Sequence, residues 1–117
     1  MSIQIHIFSI MSYADNLALY DKVAAAAGIE RKGKGMPYTS ANGYMFSLLN
    51  KDGELGIRLP KDSYKKFIEK NDSGEFRSHG AVMREYVRIP ESMLGKTKSL
   101  AKLLQESLDY VNSLPPK

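Results

Sequence analysis

The sequence of 117 residues contains no cysteine. That excludes a disulfide framework, a thiolate zinc site and any thiol nucleophile, and it suits a reducing, cytoplasmic setting. Histidine is scarce, with only His6 and His79. A catalytic metal usually takes three protein ligands, and no spacing of these two histidines with the carboxylates supplies such a set. No metal and no cofactor is therefore expected. Membrane-length apolar runs are missing as well. The uncharged opening, MSIQIHIFSI, falls well short of the roughly 20 residues a bilayer span needs. It also lacks the basic start and small-residue cleavage motif of a signal peptide. With its four isoleucines it reads as β-prone and sticky. Residues 1–11 are set apart as an extension, either an edge strand or a non-native leader ahead of the second start at Met11.

What is present is ordinary for one globular domain. Hydrophobic residues make up 43% and charged residues 26%, and a chain of this length can bury a core without staples. The net charge of +4, with a pI near 9.3, keeps nucleic acid and acidic partners in view without requiring them.

From Ser12 the pattern turns helical. Ser12 followed by Asp15 resembles a capping box, and Tyr13, Leu17, Tyr20, Ala24 and Ala27 recur at helical spacing until Gly28 supplies a left-handed stop. After the basic connector RKGKG, turn signals come at hairpin intervals. Asn42-Gly43 asks for a type I′ turn, since both central positions need positive φ, and Asp52-Gly53 marks the next turn. The strands MPYTS, YMFSLLN and ELGIRLP form an antiparallel meander, with Leu55, Ile57 and Leu59 on one face and Glu54, Gly56 and Arg58 on the other. Pro60 closes it. KDSYKKFIEK reads as a short helix burying Tyr64, Phe67 and Ile68, and NDSGEF as loop. MREYVRIP reads as a further strand, with Val87 and Ile89 inward and Arg84, Tyr86 and Arg88 outward. The last helix shows the stripe Leu100, Leu103, Leu104, Leu108 and Val111, with Thr97 as its expected cap.

Gly95-Lys96-Thr97, lying between a strand and a helix, invites comparison with a phosphate-binding loop. That loop starts on a glycine separated by four residues from its Gly-Lys-Ser/Thr. Here Pro90 stands at that position, and proline removes an N–H from a device that works by pointing N–H groups at phosphate. Only one helix follows, so no later strand can bring a metal-binding aspartate. The triplet reads as the start of a helix. His79 and Glu85 can be drawn as an acid–base pair, but SHG reads as loop and Glu85 as a strand carboxylate beside an arginine. No catalytic residue is expected. A nucleic-acid face is the main rival: Arg58, Arg84 and Arg88 around Tyr86 would combine phosphate-binding cations with a stacking aromatic, helped by the RKGKGM loop. The ordinary alternative is a solvated charged face, and self-association through that face or the isoleucine-rich start is a third option.

Several of these residues recur as a pattern: Gly35-Met36, Asn42-Gly43 leading into Met45-Phe46, Asp52-Gly53, Leu55, and Arg58-Leu59-Pro60. Phe67 follows in the next helix, then Met83, Tyr86, Val87 and Pro90. In that order, over about residues 12–114, the chain resembles the TfoX/Sxy N-terminal domain family, within the broader set that includes MmcQ/YjbR-like proteins. The resemblance implies a regulatory role, because the named members act with a transcription activator in natural competence and offer no catalytic residue to carry over. It departs in reading GMPYTSANG where those proteins favour MFGGYG, and the sequence stops at Lys117, before any helix-hairpin-helix domain such as theirs. Stand-alone relatives are the expected company.

Together these readings predict one α+β domain over residues 12–114, with residues 115–117 as a tail. An antiparallel sheet of four or five strands should carry helices on one face, in the order α-β-β-β-α-β-α. The expected role is a non-enzymatic regulatory or protein-interaction module with a protein partner, with nucleic-acid binding and homo-oligomerisation as rivals. A small enzyme using His79 and Glu85 is a more distant one.

Overall fold

The computed structural model describes residues 12–117, so the extension expected over residues 1–11 lies outside the described residues. Ser12 accepts a hydrogen bond from the Asp15 N–H (3.1 Å), and the Asp15 carboxylate accepts one from the Ser12 N–H (3.2 Å). This reciprocal cap satisfies two otherwise orphaned donors and starts α1, Tyr13–Ala27. Gly28 ends the helix with φ 73, and the Ile29 N–H reaches back to the Ala24 carbonyl. Tyr13, expected at the head of the buried stripe, stays exposed. Val23 is fully buried instead, beside Tyr20 and Ala24.

The meander consists of β1 (Tyr38–Ala41), β2 (Tyr44–Leu49) and β3 (Leu55–Arg58). Asn42 (φ 56) and Gly43 (φ 84) both take the left-handed conformation that a tight I′ hairpin requires. Thr39 faces Ser47 and Ser40 faces Met45, which leaves Phe46 as an extra residue in β2. Such a bulge breaks the two-residue alternation. Phe46 joins the main core, while the next residue, Ser47, also turns to the helices and bonds the Tyr20 hydroxyl. Thr39 completes this buried hydroxyl chain. Burial pushes the Tyr20 phenol up to about 12, partly offset by these hydrogen bonds.

Helix α2 spans Lys61–Lys70, with Phe67 buried and Tyr64 and Ile68 partly so. The following segment, expected as loop, holds a strand. This β4 (Glu75–Ser78) forms a hairpin with β5 (Ala81–Arg88). His79 (φ 56) and Gly80 (φ 75) make its turn, so the residues expected as a polar loop are a second pair of left-handed hairpin positions. The sheet is antiparallel in the order β1-β2-β3-β5-β4. The α+β architecture read from the sequence is present, with five strands and helices on one face.

Strand β5 departs from simple alternation. Met83 faces Phe76 and Val87 faces Glu75, leaving Arg84, Glu85 and Tyr86 without counterparts in β4. Glu85 has φ 71, a conformation that L-residues with a Cβ rarely take. Past this bulge, Tyr86–Arg88 pairs with Gly56–Arg58 of β3. Gly56 is needed there because a Cβ would lie 2.4 Å from the Phe76 ring.

A 3₁₀ turn at Glu91–Met93 leads to α3, Thr97–Ser113. Thr97 is the first helical residue rather than the cap. Lys96 holds the cap position and no side chain caps the helix. Helix α3 packs on α1 and across β1, β2 and β3, whereas α2 packs on β5. Leu100, Leu104 and Val111 enter the core with Leu49, Leu55, Ile57, Leu59 and Val87, each contributing about 1.5–3 kcal/mol by burial. The signature residues Phe46, Leu55, Leu59 and Val87 are therefore core, and Gly43 and Gly53 (φ 79) are turn glycines. The expected tail is in contact with the domain. Pro115 O accepts the Tyr44 hydroxyl (2.7 Å), and the Lys117 N–H donates to Asn42 O (3.2 Å).

Candidate interaction surfaces

The four residues expected on one basic sheet face, Arg58, Arg84, Tyr86 and Arg88, do not assemble there. Tyr86 is only 5% exposed. Its ring stacks on Phe76 with centroids 6.0 Å apart, and its hydroxyl donates to the Met45 carbonyl at 2.8 Å. Burial raises its pKa well above the usual phenol range. Arg58 is held between the Tyr44 and Tyr110 rings, 5.5 and 5.4 Å from their centroids. Its Nε and Nη2 each lie 2.8 Å from Glu85 Oε1. Arg84 is exposed, and Arg88 borders a cleft of about 250 Å³ beside Asp52, Glu54 and Glu91. Tyr86 does lie on the face opposite the helices, as alternation with inward Val87 and Ile89 predicts, but it is covered there by apolar neighbours. The β5 bulge brings Met83 onto the same face and puts Arg84 out of phase.

The face opposite the helices is consequently apolar. Leu48, Phe76 and Tyr86 form a second buried cluster there, edged by half-buried Met36, Tyr38, Met45 and Met83.

Glu85 uses Oε1 for Arg58 and Oε2 for the Tyr110 hydroxyl, which donates at 2.9 Å. Burial, and then this hydrogen bond, raise the Tyr110 pKa. His79 sits in the exposed turn of the β4–β5 hairpin and takes no part in that arrangement. Gly95-Lys96-Thr97 opens α3 from an antiparallel sheet, so no parallel strand feeds it as a phosphate loop would require. Among the described residues no group of three His, Asp or Glu side chains could hold a metal ion, and no helix is long and apolar enough to cross a membrane.

Two further open grooves lie among the described residues. One, of about 600 Å³, lies between the start of α1 and the glycine loop, where Tyr13, Lys34 and Lys51 border the backbone of Gly33 and Gly35. Arg31 also lines it but is tied to Asp21 at 2.7 Å, and that hydrogen bond raises the Arg31 pKa. The other, of about 500 Å³, separates α2 from α3. The two helices that border it rest on different strands. Phe67 and Leu103 give it an apolar floor over the buried Leu100, and Met93, Lys66, Lys70 and Lys96 also line it. At the far end Ser63 donates a hydrogen bond to Glu106.

None of those three lysines makes an ion pair among the described residues, where the pairs are Arg31–Asp21, Arg58–Glu85 and Arg77–Glu75. Sequence reasoning passes over them because nothing local joins residues 66–70 to residue 96. The one available signal is the i, i+4 spacing of Lys66 and Lys70 on a single helix face. Compared with known protein families, curated proteins and solved structures, the chain matches none.

Proposed function

We propose that this chain is a non-enzymatic regulatory module, cytoplasmic in location, that acts by binding another protein. The observation that carries the reading is the α2–α3 groove. Its floor is apolar, and its surrounding lysines are free of carboxylate partners among the described residues. An apolar groove rimmed by polar groups is the usual form of a docking site. The resemblance to the TfoX/Sxy N-terminal domain family supports the same reading, since its named members act with another protein rather than on a substrate.

The test is selection of random displayed peptides on the folded chain, counter-screened with two variants. Lys66→Glu/Lys70→Glu alters the groove, and Met83→Glu alters the opposite sheet face. Peptides that enrich on the chain, lose binding to the groove variant and keep it on the face variant support the proposal. Failure to enrich any sequence overturns it.

The glycine-loop groove favours a second reading, binding of single-stranded nucleic acid. Lys34 and Lys51 stand beside the exposed Tyr13 ring, and among the described residues no carboxylate lines the groove, which suits phosphates with a stacked base. Oligonucleotide binding that weakens steeply with salt, and is lost in Lys34→Glu/Lys51→Glu, would carry this reading. Binding that ignores both would sink it.

A further inference from the structure

Resting on the protein-binding reading, we infer that the α2–α3 groove receives an acidic amphipathic helix of the partner. Two independent features of the groove select this chemistry. Phe67 and Leu103 supply an apolar floor between two helices, backed by the buried Leu100, which fits the ridge of residues at i, i+3, i+4 and i+7 that a helix presents. The cations are placed around that floor rather than on it. Lys66 and Lys70 lie one turn apart along α2, and Lys96 precedes the first turn of α3 on the other side. A helix seated on the floor would have cations on both flanks, so its own flanks match best when they carry Asp and Glu.

The groove is also directional. Among the described residues its only lining carboxylate, Glu106, accepts a hydrogen bond from Ser63 at the end where α2 begins. The three lysines lie toward the end of α2 and the start of α3. The acidic residues of the partner should therefore concentrate at the Lys70–Lys96 end. Lys66, Lys70 and Lys96 are all exposed, so reversing their charge leaves the core untouched.

The decisive experiment uses three synthetic helices of about 18 residues, roughly five turns each, titrated against the full chain by fluorescence anisotropy. All share one leucine ridge, and their flanks carry glutamate, glutamine or lysine. The acidic helix should bind most tightly and weaken as salt rises. It should lose roughly tenfold or more of its affinity in Lys66→Glu/Lys70→Glu/Lys96→Glu, and the lysine-flanked helix should gain on that variant. Amide chemical shifts should move along Ser63–Asn71 and Met93–Glu106, with thermal unfolding of the variant unchanged.

If the glutamine helix binds the same amides as tightly as the acidic one, the acidic assignment falls and the docking reading stands. If no helix binds, the acidic assignment falls outright, and peptide selection alone then decides the docking reading. If a DNA or RNA oligonucleotide binds through these lysines more tightly than any helix, the groove is a nucleic-acid site and the inference is overturned.

Discussion

Arg58 stands opposite Tyr86 in the β3–β5 register, yet its guanidinium is bound to the preceding residue, Glu85, through Nε and Nη2 at 2.8 Å each. The left-handed backbone of Glu85 (φ 71) swings that carboxylate to the strand end, where Tyr110 of α3 also reaches it. A strained residue is thus held by contacts from two other elements.

This relationship yields a paired prediction. Glu85→Ala and Glu85→Gly both remove the carboxylate, but only glycine relieves the left-handed conformation. The glycine variant should be the more stable of the two by about 1 kcal/mol, read from urea unfolding midpoints. Equal stabilities would mean that the backbone at Glu85 carries no strain.

Gly56→Ala should be among the most damaging single-methyl additions in the chain. Its Cβ would lie 2.4 Å from the Phe76 ring, and Phe76 is fully buried. Overpacking of this kind costs about 1–3 kcal/mol. Adding Phe76→Leu to Gly56→Ala should recover part of the loss, so the two changes should couple in a double-mutant cycle. Strictly additive effects would place the clash elsewhere.

The buried phenols predict an alkaline weakness. The folded-state pKa of Tyr20, about 12, lies above the unfolded value of about 10. The neutral phenol therefore contributes fully below about pH 10, and its contribution is lost as pH rises through about 12, some 2–3 kcal/mol over that interval. Tyr86, also raised by burial, adds to the same limb. Tyr20→Phe should flatten the fall of stability above about pH 10, followed by chemical denaturation at stepped pH. An unchanged slope would exclude Tyr20 as its source.

Asn42 links the first hairpin to the end of α3. Its Nδ2 donates to the Val111 and Leu114 carbonyls, both at 2.9 Å. Asn42→Gly preserves the positive φ of the turn and removes only those bonds. It should cost about 1–2 kcal/mol and speed hydrogen exchange in the last turn of α3. Exchange confined to the hairpin would show that the helix end is held by packing alone.

How much of this was legible in the sequence depends on the range of the interaction involved. Ser12 with Asp15, Asn42-Gly43, Gly28 and the α3 leucines act within a few residues, so spacing alone revealed α1, the meander and the last helix. Strand β4 escaped because Glu75–Ser78 is short and polar and its turn is made by His79-Gly80, a weaker signal than Asn-Gly. The phase of Met83 and Arg84 escaped for a different reason. Period-two reading assumes an unbroken strand, and the bulge that breaks it is stabilised by Arg58 and Tyr110, far away in the chain. The α2–α3 groove was illegible on the same ground, because it exists only once two helices settle on different strands.

The packing of α1 against α3 also orders events during synthesis. The β1–β2–β3 meander closes through near neighbours and can form early, but the apolar side of α1 cannot be fully covered until the final helix leaves the ribosome. A nascent chain therefore passes through a stage in which the face of α1 that packs on α3 is uncovered. The domain then completes in one late step, when its last helix joins its first.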